Sequence, residues 1–134
     1  MKRAAEQTRG FALFPTTLGS FGSPRSLRVL WFGVRDSPNG ALAALRDRLA
    51  SSLQGAGVSF EEGAFRPHLT LGRVKRNETP ARSELMHRAI QALGRSSGPL
   101  SALAPLTCEE VALIRSDLQP TGPIYTPLHH APFG

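Results

Sequence analysis

One cysteine, one tryptophan, one tyrosine and two lysines are all that the 134 residues hold of those types, and each scarcity narrows what the chain can be. With only Cys108, an internal disulfide is excluded, as is any zinc or iron–sulfur centre built from several thiolates. No uninterrupted apolar run approaches the roughly 18 residues of a membrane span. The N-terminus, Met1 to Arg9, lacks the apolar core of a secretory signal. There is no Gly-rich phosphate loop ending in Lys-Ser or Lys-Thr. The expectation is a soluble, cytoplasmic protein with no membrane partner.

What is present fits one globular domain spanning residues 1–134. A hydrophobic fraction of 40% can supply a core, and 13 Gly with 11 Pro supply many turns. The net charge is +6, carried almost entirely by arginine, since Lys2 and Lys75 are the only lysines. Guanidinium matches phosphate bidentately, so an Arg-rich surface suits a phosphate-bearing partner. A coding bias toward Ala, Gly, Pro and Arg explains the same excess, so the charge permits nucleic acid without demanding it.

The patterning alternates strands with helices. Phe11 to Gly19 reads as a strand with a Pro15-marked edge or bulge, and Arg28 to Val34 as the strongest strand of the chain. Ser37-Pro38 resembles a helix cap with proline at the first helical position. The following stripe of Leu42, Leu45, Leu49 and Leu53 predicts a helix ending near Gly55. Val58-Ser59-Phe60 reads as a short strand or extended loop, and Phe65 to Val74 as a strand entered through Pro67. Thr79-Pro80 repeats the cap signal before a helix with Leu85, Met86, Ala89, Ile90 and Leu93 on one face, ending at Gly94. Ser96 to Pro99 reads as a loop. Thr107 to Ser116 predicts a strand with Val111 and Leu113 alternating against Glu110 and Ala112, and Leu118 to Pro123 a hairpin-like turn before a last strand at Ile124-Tyr125. The order β-β-α-β-α-β-β predicts an α+β fold, mainly antiparallel sheet with two helices.

The segment His68-Leu69-Thr70 carries the chemistry. Residues two apart on a strand share a face, so His68 and Thr70 point together while Leu69 and Leu71 point to an apolar side. An imidazole that moves a proton beside a hydroxyl that holds a nonbridging oxygen suits one phosphate. Spacing alone fits equally a half-buried histidine beside a threonine on an ordinary strand. Strict alternation puts Arg73 on the face of Leu69, unless a bulge at Gly72 swings it back. Arg66 is a second candidate phosphate contact, and for either arginine a solvated surface role is the alternative. Cys108, with no evident histidine partner, reads as a buried structural thiol. Glu61-Glu62 and Glu109-Glu110 read as solvated, His87 as lying on the solvent face of its helix, and His129-His130 as a poor chelate on opposite strand faces. Trp31 or Phe32 could stack a base, with at least one of them in the core.

Phe65-Arg66-Pro67-His68-Leu69-Thr70-Leu71-Gly72-Arg73 resembles the second histidine motif of the two-histidine phosphoesterase superfamily, and within it the RNA 2′,3′-cyclic phosphodiesterases, or 2′-5′ RNA ligase-like proteins. Leu18-Gly19-Ser20-Phe21 leading to Arg28 through Val34 resembles the family's Gly-Phe turn and strand. Leu113 to Ser116, with Gly122-Pro123-Ile124-Tyr125, resembles its closing hairpin. The resemblance implies a bilobal α+β fold with a His-x-Thr strand from each lobe facing a cleft, and hydrolysis of 2′,3′-cyclic phosphate ends to 2′-phosphate without metal or cofactor. Its partners are RNA ends or cyclic nucleotides. His68 and Thr70 become catalytic, and Arg73 and Arg66 bind substrate. The family's first His-x-Thr should precede Phe11, where no histidine stands, so the chain reads as the family without its first third. The alternatives are a noncatalytic nucleotide- or RNA-binding remnant, or a fragment stable only beside a missing segment.

Overall fold

In the computed structural model, residues 1–38, 40–60, 63–95 and 103–134 are described. In chain order they form α1 (Lys2–Glu6), β1 (Phe11–Ser23), β2 (Ser26–Ser37), α2 (Ala41–Gly55), β3 (His68–Arg73), α3 (Pro80–Gly94), β4 (Leu106–Cys108), β5 (Glu110–Gln119) and β6 (Gly122–Pro132). This is an α+β fold with antiparallel sheets, and it adds the short helix α1 to the two helices expected. The strands form one ladder in the order β3-β2-β1-β4 and a second ladder of β5 with β6. No helix among the described residues is long and apolar enough to cross a membrane.

Two compact units divide the chain. The first comprises Met1–Ala12, Asp36–Gly63 and Thr107–Gly134; the second comprises Leu13–Arg35 and Ala64–Leu106.

In the first unit the buried apolar residues are Ala4, Ala5, Phe11, Leu45 and Ala131. Phe11 stacks on Phe133 with ring centroids 5.8 Å apart. The buried Thr8 hydroxyl donates to the Ala4 carbonyl at 2.7 Å and accepts from Arg48 at 3.3 Å, so its burial leaves no polar group unpaired. The start of α2 differs from the expected Ser37-Pro38 cap. The helix begins at Ala41 with Gly40 at the cap position in the left-handed region, φ 89°, and the Asp36 carboxylate accepts from the Leu42 N–H at 2.6 Å. Burial pushes the Asp36 carboxyl up, but hydrogen bonds from the backbone at Leu42, Gly40, Asp36 and Ala41 outweigh it. Its pKa is held below the ordinary 3.8. Leu45 is the buried member of the expected leucine stripe, and Leu53 is 40% exposed.

The hairpin of β5 and β6 is longer than expected, pairing Glu110 with Pro132 through to Gln119 with Gly122, with a register shift between Leu113 and Ile114. The shift breaks the alternation beyond Leu113, which is itself 52% exposed. Thr107 and Cys108 belong to the separate β4. Cys108 is half-buried rather than fully enclosed, and burial pushes its thiol pKa up. Val58 to Phe60 has no regular structure. Glu61, Glu62 and the segment from Ser96 to Pro99 lie outside the described residues.

In the second unit β1 and β2 form a hairpin closed at Pro24-Arg25. Gly22 adopts φ 108°, and a Cβ there would run into the Ser26 carbonyl, so the turn requires glycine. α3 starts as expected, with Pro80 in the first turn and the Thr79 hydroxyl accepting from the Arg82 N–H at 3.4 Å. Its inward stripe is only partly the expected one. Ser83 and Ile90 are buried, whereas Leu85 and Leu93 are 61% and 56% exposed. Glycine at its last position lets the helix approach β1 closely: a Cβ on Gly94 would come within 2.8 Å of the Leu18 carbonyl. His87, expected on the solvent face, is half-buried, with Nδ1 3.5 Å from the Ser20 hydroxyl and Nε2 3.0 Å from the Gln91 amide. α3 therefore packs on the side of the sheet to which Ser20 points.

Candidate active site

The path into β3 is fixed before its first residue. Pro67 has no N–H to offer the ladder, but its carbonyl accepts from the Val34 N–H at 3.2 Å. β3 then runs antiparallel to β2 with His68 opposite Gly33, Leu69 opposite Phe32 and Thr70 opposite Trp31. Directly opposed residues share a face, so His68 and Thr70 lie on the side of Gly33 and Trp31. Leu69 takes the other side, where it remains 46% exposed.

The register then shifts. Gly72 stands opposite Leu30 and Arg73 opposite Val29, which leaves Leu71 without a partner. Val29, Trp31 and Gly33 alternate on one face of β2, so the extra residue carries Arg73 to the face of His68 and Thr70. One imidazole, one hydroxyl and one guanidinium thus line one edge of this face, all three residues exposed. Arg66 enters through its backbone. Its carbonyl is 2.7 Å from His68 Nδ1, and because a carbonyl only accepts, Nδ1 must carry the proton. In the neutral ring the free lone pair is therefore on Nε2.

Behind the imidazole is an aromatic cluster. Phe21 meets His68 edge to face at 5.0 Å, Trp31 lies 5.2 Å from Phe21, and the Trp31 and His68 rings are 6.0 Å apart. The indole lies directly over Gly19, where any Cβ would overlap it. Trp31 Nε1 is buried with no hydrogen-bond partner among the described residues. Composition and strand pattern single out Trp31 but not its role as the wall beside His68. The available signal is Gly19-x-Phe21, since glycine where a strand should carry a side chain marks a close approach.

Arginine, histidine and threonine side chains so arranged can hold phosphate oxygens and transfer a proton at Nε2. Among the described residues no three His, Cys, Asp or Glu side chains cluster closely enough to hold a metal ion. His130, in the first unit, sits 2.9 Å from the Glu110 carboxylate, so Glu110 is paired rather than merely solvated.

The family model described as the 2′-5′ RNA ligase superfamily matches residues 1–120. Curated proteins named RNA 2′,3′-cyclic phosphodiesterase are similar: that of Thermotoga maritima is 34% identical over 95% of this chain, and that of Geobacillus stearothermophilus 29% over all of it. That of Methanothermobacter thermautotrophicus is 32% identical over 88% of the chain. This chain spans 62%, 40% and 60% of those three proteins. A crystal structure of a Thermus thermophilus protein shares the fold with a TM-score of 0.58 at 22% identity, covering 98% of this chain and 65% of the other.

Proposed function

The chain belongs to the 2′-5′ RNA ligase superfamily, and from that premise we propose that it hydrolyses RNA 2′,3′-cyclic phosphate ends to 2′-phosphates. Water attacks phosphorus, the bond from phosphorus to O3′ breaks, and O3′ takes up a proton. The observation that carries the proposal is His68 with Nδ1 tied to the Arg66 carbonyl, on one face with Thr70 and Arg73. A tethered ring presents Nε2 alone to the substrate, as a base when neutral and as an acid when protonated. Thr70 donates to a nonbridging phosphate oxygen. Arg73 meets the growing negative charge on the phosphate with in-plane N–H donors, and Arg66 adds a second cation where the strand begins. The chemistry is acid–base, with no metal routed through it.

The reaction needs proton transfer at two oxygens, and one His-x-Thr is present in these 134 residues. That favours, as a second assignment, binding of phosphate-ended RNA without turnover. The test begins with binding. Titration with a nucleoside 2′-monophosphate should perturb the amides of His68, Thr70 and Arg73 and weaken as salt rises. No perturbation at those residues with millimolar ligand would reject both assignments. Turnover of cyclic-ended RNA then separates them.

A further inference from the structure

Beyond His68 the same sheet face carries a second set of polar groups that the chemistry above leaves unused. Opposite His68 is Gly33, which has no side chain. The space a Cβ would take there is bordered by two hydroxyls, Thr16 Oγ1 at 2.8 Å and Thr17 Oγ1 at 3.2 Å. Both hydroxyls therefore lie on the side of the sheet to which His68 points. Neither makes a hydrogen bond with another described residue.

Two residues past Gly33 on β2, and so on the same face, comes Arg35. Its guanidinium lies over the Phe14 ring with the central carbon 4.6 Å from the ring centroid. This cation–π contact anchors the guanidinium, and its N–H donors bond to no other described residue, so they are available to grip a phosphate. Among the described residues no carboxylate pairs with it. The adjacent carboxylate, Asp36, is taken by the backbone N–H of Leu42. Arg35 lies about 7 Å along the strand from Gly33, the reach of one nucleotide of extended backbone.

We propose that Thr16, Thr17 and Arg35 form a second subsite that holds the ribose and phosphodiester immediately upstream of the end bound at His68. The ligand is then an RNA end, with at least one internal phosphodiester, in preference to a free mononucleotide. The two hydroxyls meet ribose or phosphate oxygens across the floor made by Gly33, and Arg35 takes the upstream phosphate. This rests on the proposed binding of phosphate-ended RNA at His68 and extends it by one nucleotide.

The test compares adenosine 2′-monophosphate with the dinucleotide ApA carrying a 2′-phosphate on its 3′-terminal nucleoside, titrated by NMR and calorimetry at several salt concentrations. The dinucleotide should bind about tenfold more tightly, as one added charge-assisted contact implies. Its salt slope should be steeper by about 0.7, the share of one further phosphate on a single strand. Arg35→Gln should bring the affinity ratio close to one, and Arg35→Lys should restore part of it. The Thr16→Val, Thr17→Val double variant should lower the ratio. Arg82→Gln, on α3 beside Glu78, should leave it unchanged. Equal affinity for the two ligands at His68 would overturn the second subsite and leave the first intact. A dinucleotide advantage that survives Arg35→Gln, or falls equally with Arg82→Gln, would also overturn it. If neither ligand perturbs His68 or Thr70, the proposed function itself fails.

Discussion

His68 and Arg66 are joined by a 2.7 Å hydrogen bond from the imidazole Nδ1 to the backbone carbonyl two residues earlier, across Pro67. The bond selects the tautomer and turns the ring so that only Nε2 is free for chemistry. Nitrogen chemical shifts of the neutral His68 ring should show Nδ1 protonated and Nε2 bare. The reverse pattern would mean that the ring does not present Nε2 as a base.

Trp31 is the only tryptophan of the chain, so its fluorescence reports directly on the wall beside His68. The Gly19→Ala variant places a Cβ where the indole now lies. Overpacking of this kind costs about 1–3 kcal/mol. The expected outcome is a lower denaturation midpoint with a shifted Trp31 emission in the folded state. Wild-type stability and emission would show that Trp31 does not lie against β1.

The sequence reveals the shared face of His68 and Thr70 because strand periodicity is two and nothing between them disturbs it. Arg73 is different. Its side depends on one unpaired residue, Leu71, and glycine at the next position signals only that a bulge is possible. On α2 the Ser37-Pro38 pair imitates a cap, but four backbone N–H groups converge on Asp36, and the helix begins at Ala41 instead. On α3 Ile90 of the expected stripe is buried, but Leu85 and Leu93 are exposed while Ser83 is buried, and at Gly94 close approach to β1 selects small size over hydrophobicity. The wall formed by Phe21 and Trp31 joins residues ten apart across a hairpin, which strand periodicity does not report.

Asp36 gives the fold a pH dependence of definite sign. Its carboxyl titrates below 3.8 in the folded protein, so the stability it contributes is present above that value. It is lost as pH falls through the lower folded-state pKa. Asp36→Ala should destabilise the protein at neutral pH by about 0.5–2 kcal/mol, the range for losing a helix cap. The difference from wild type should shrink in acid, as denaturant melts at a series of pH values would show. A difference that stays constant far into acid would contradict the cap.

Thr70 contacts a charged phosphate oxygen through one hydroxyl in the proposed chemistry. Thr70→Val should weaken 2′-phosphate binding by about 1.5–3 kcal/mol, the worth of a hydrogen bond to a charged group. Calorimetry on the folded variant measures it, and unchanged affinity would remove Thr70 from the site.

No step of the proposed reaction passes through a metal ion. Hydrolysis of cyclic-ended RNA should proceed at the same rate with and without EDTA. A loss of rate restored by a divalent cation would replace the acid–base scheme.

The central claim is that the Nε2 of His68 transfers a proton during hydrolysis of a 2′,3′-cyclic phosphate. The most direct measurement is the turnover of cyclic-ended RNA by the wild-type chain and by His68→Ala, with folding of both checked by Trp31 fluorescence. A general acid–base group contributes typically about 10²–10⁴-fold, and the substitution should lower turnover by that factor. Undiminished turnover in a folded His68→Ala protein, or none in the wild type, would contradict the claim.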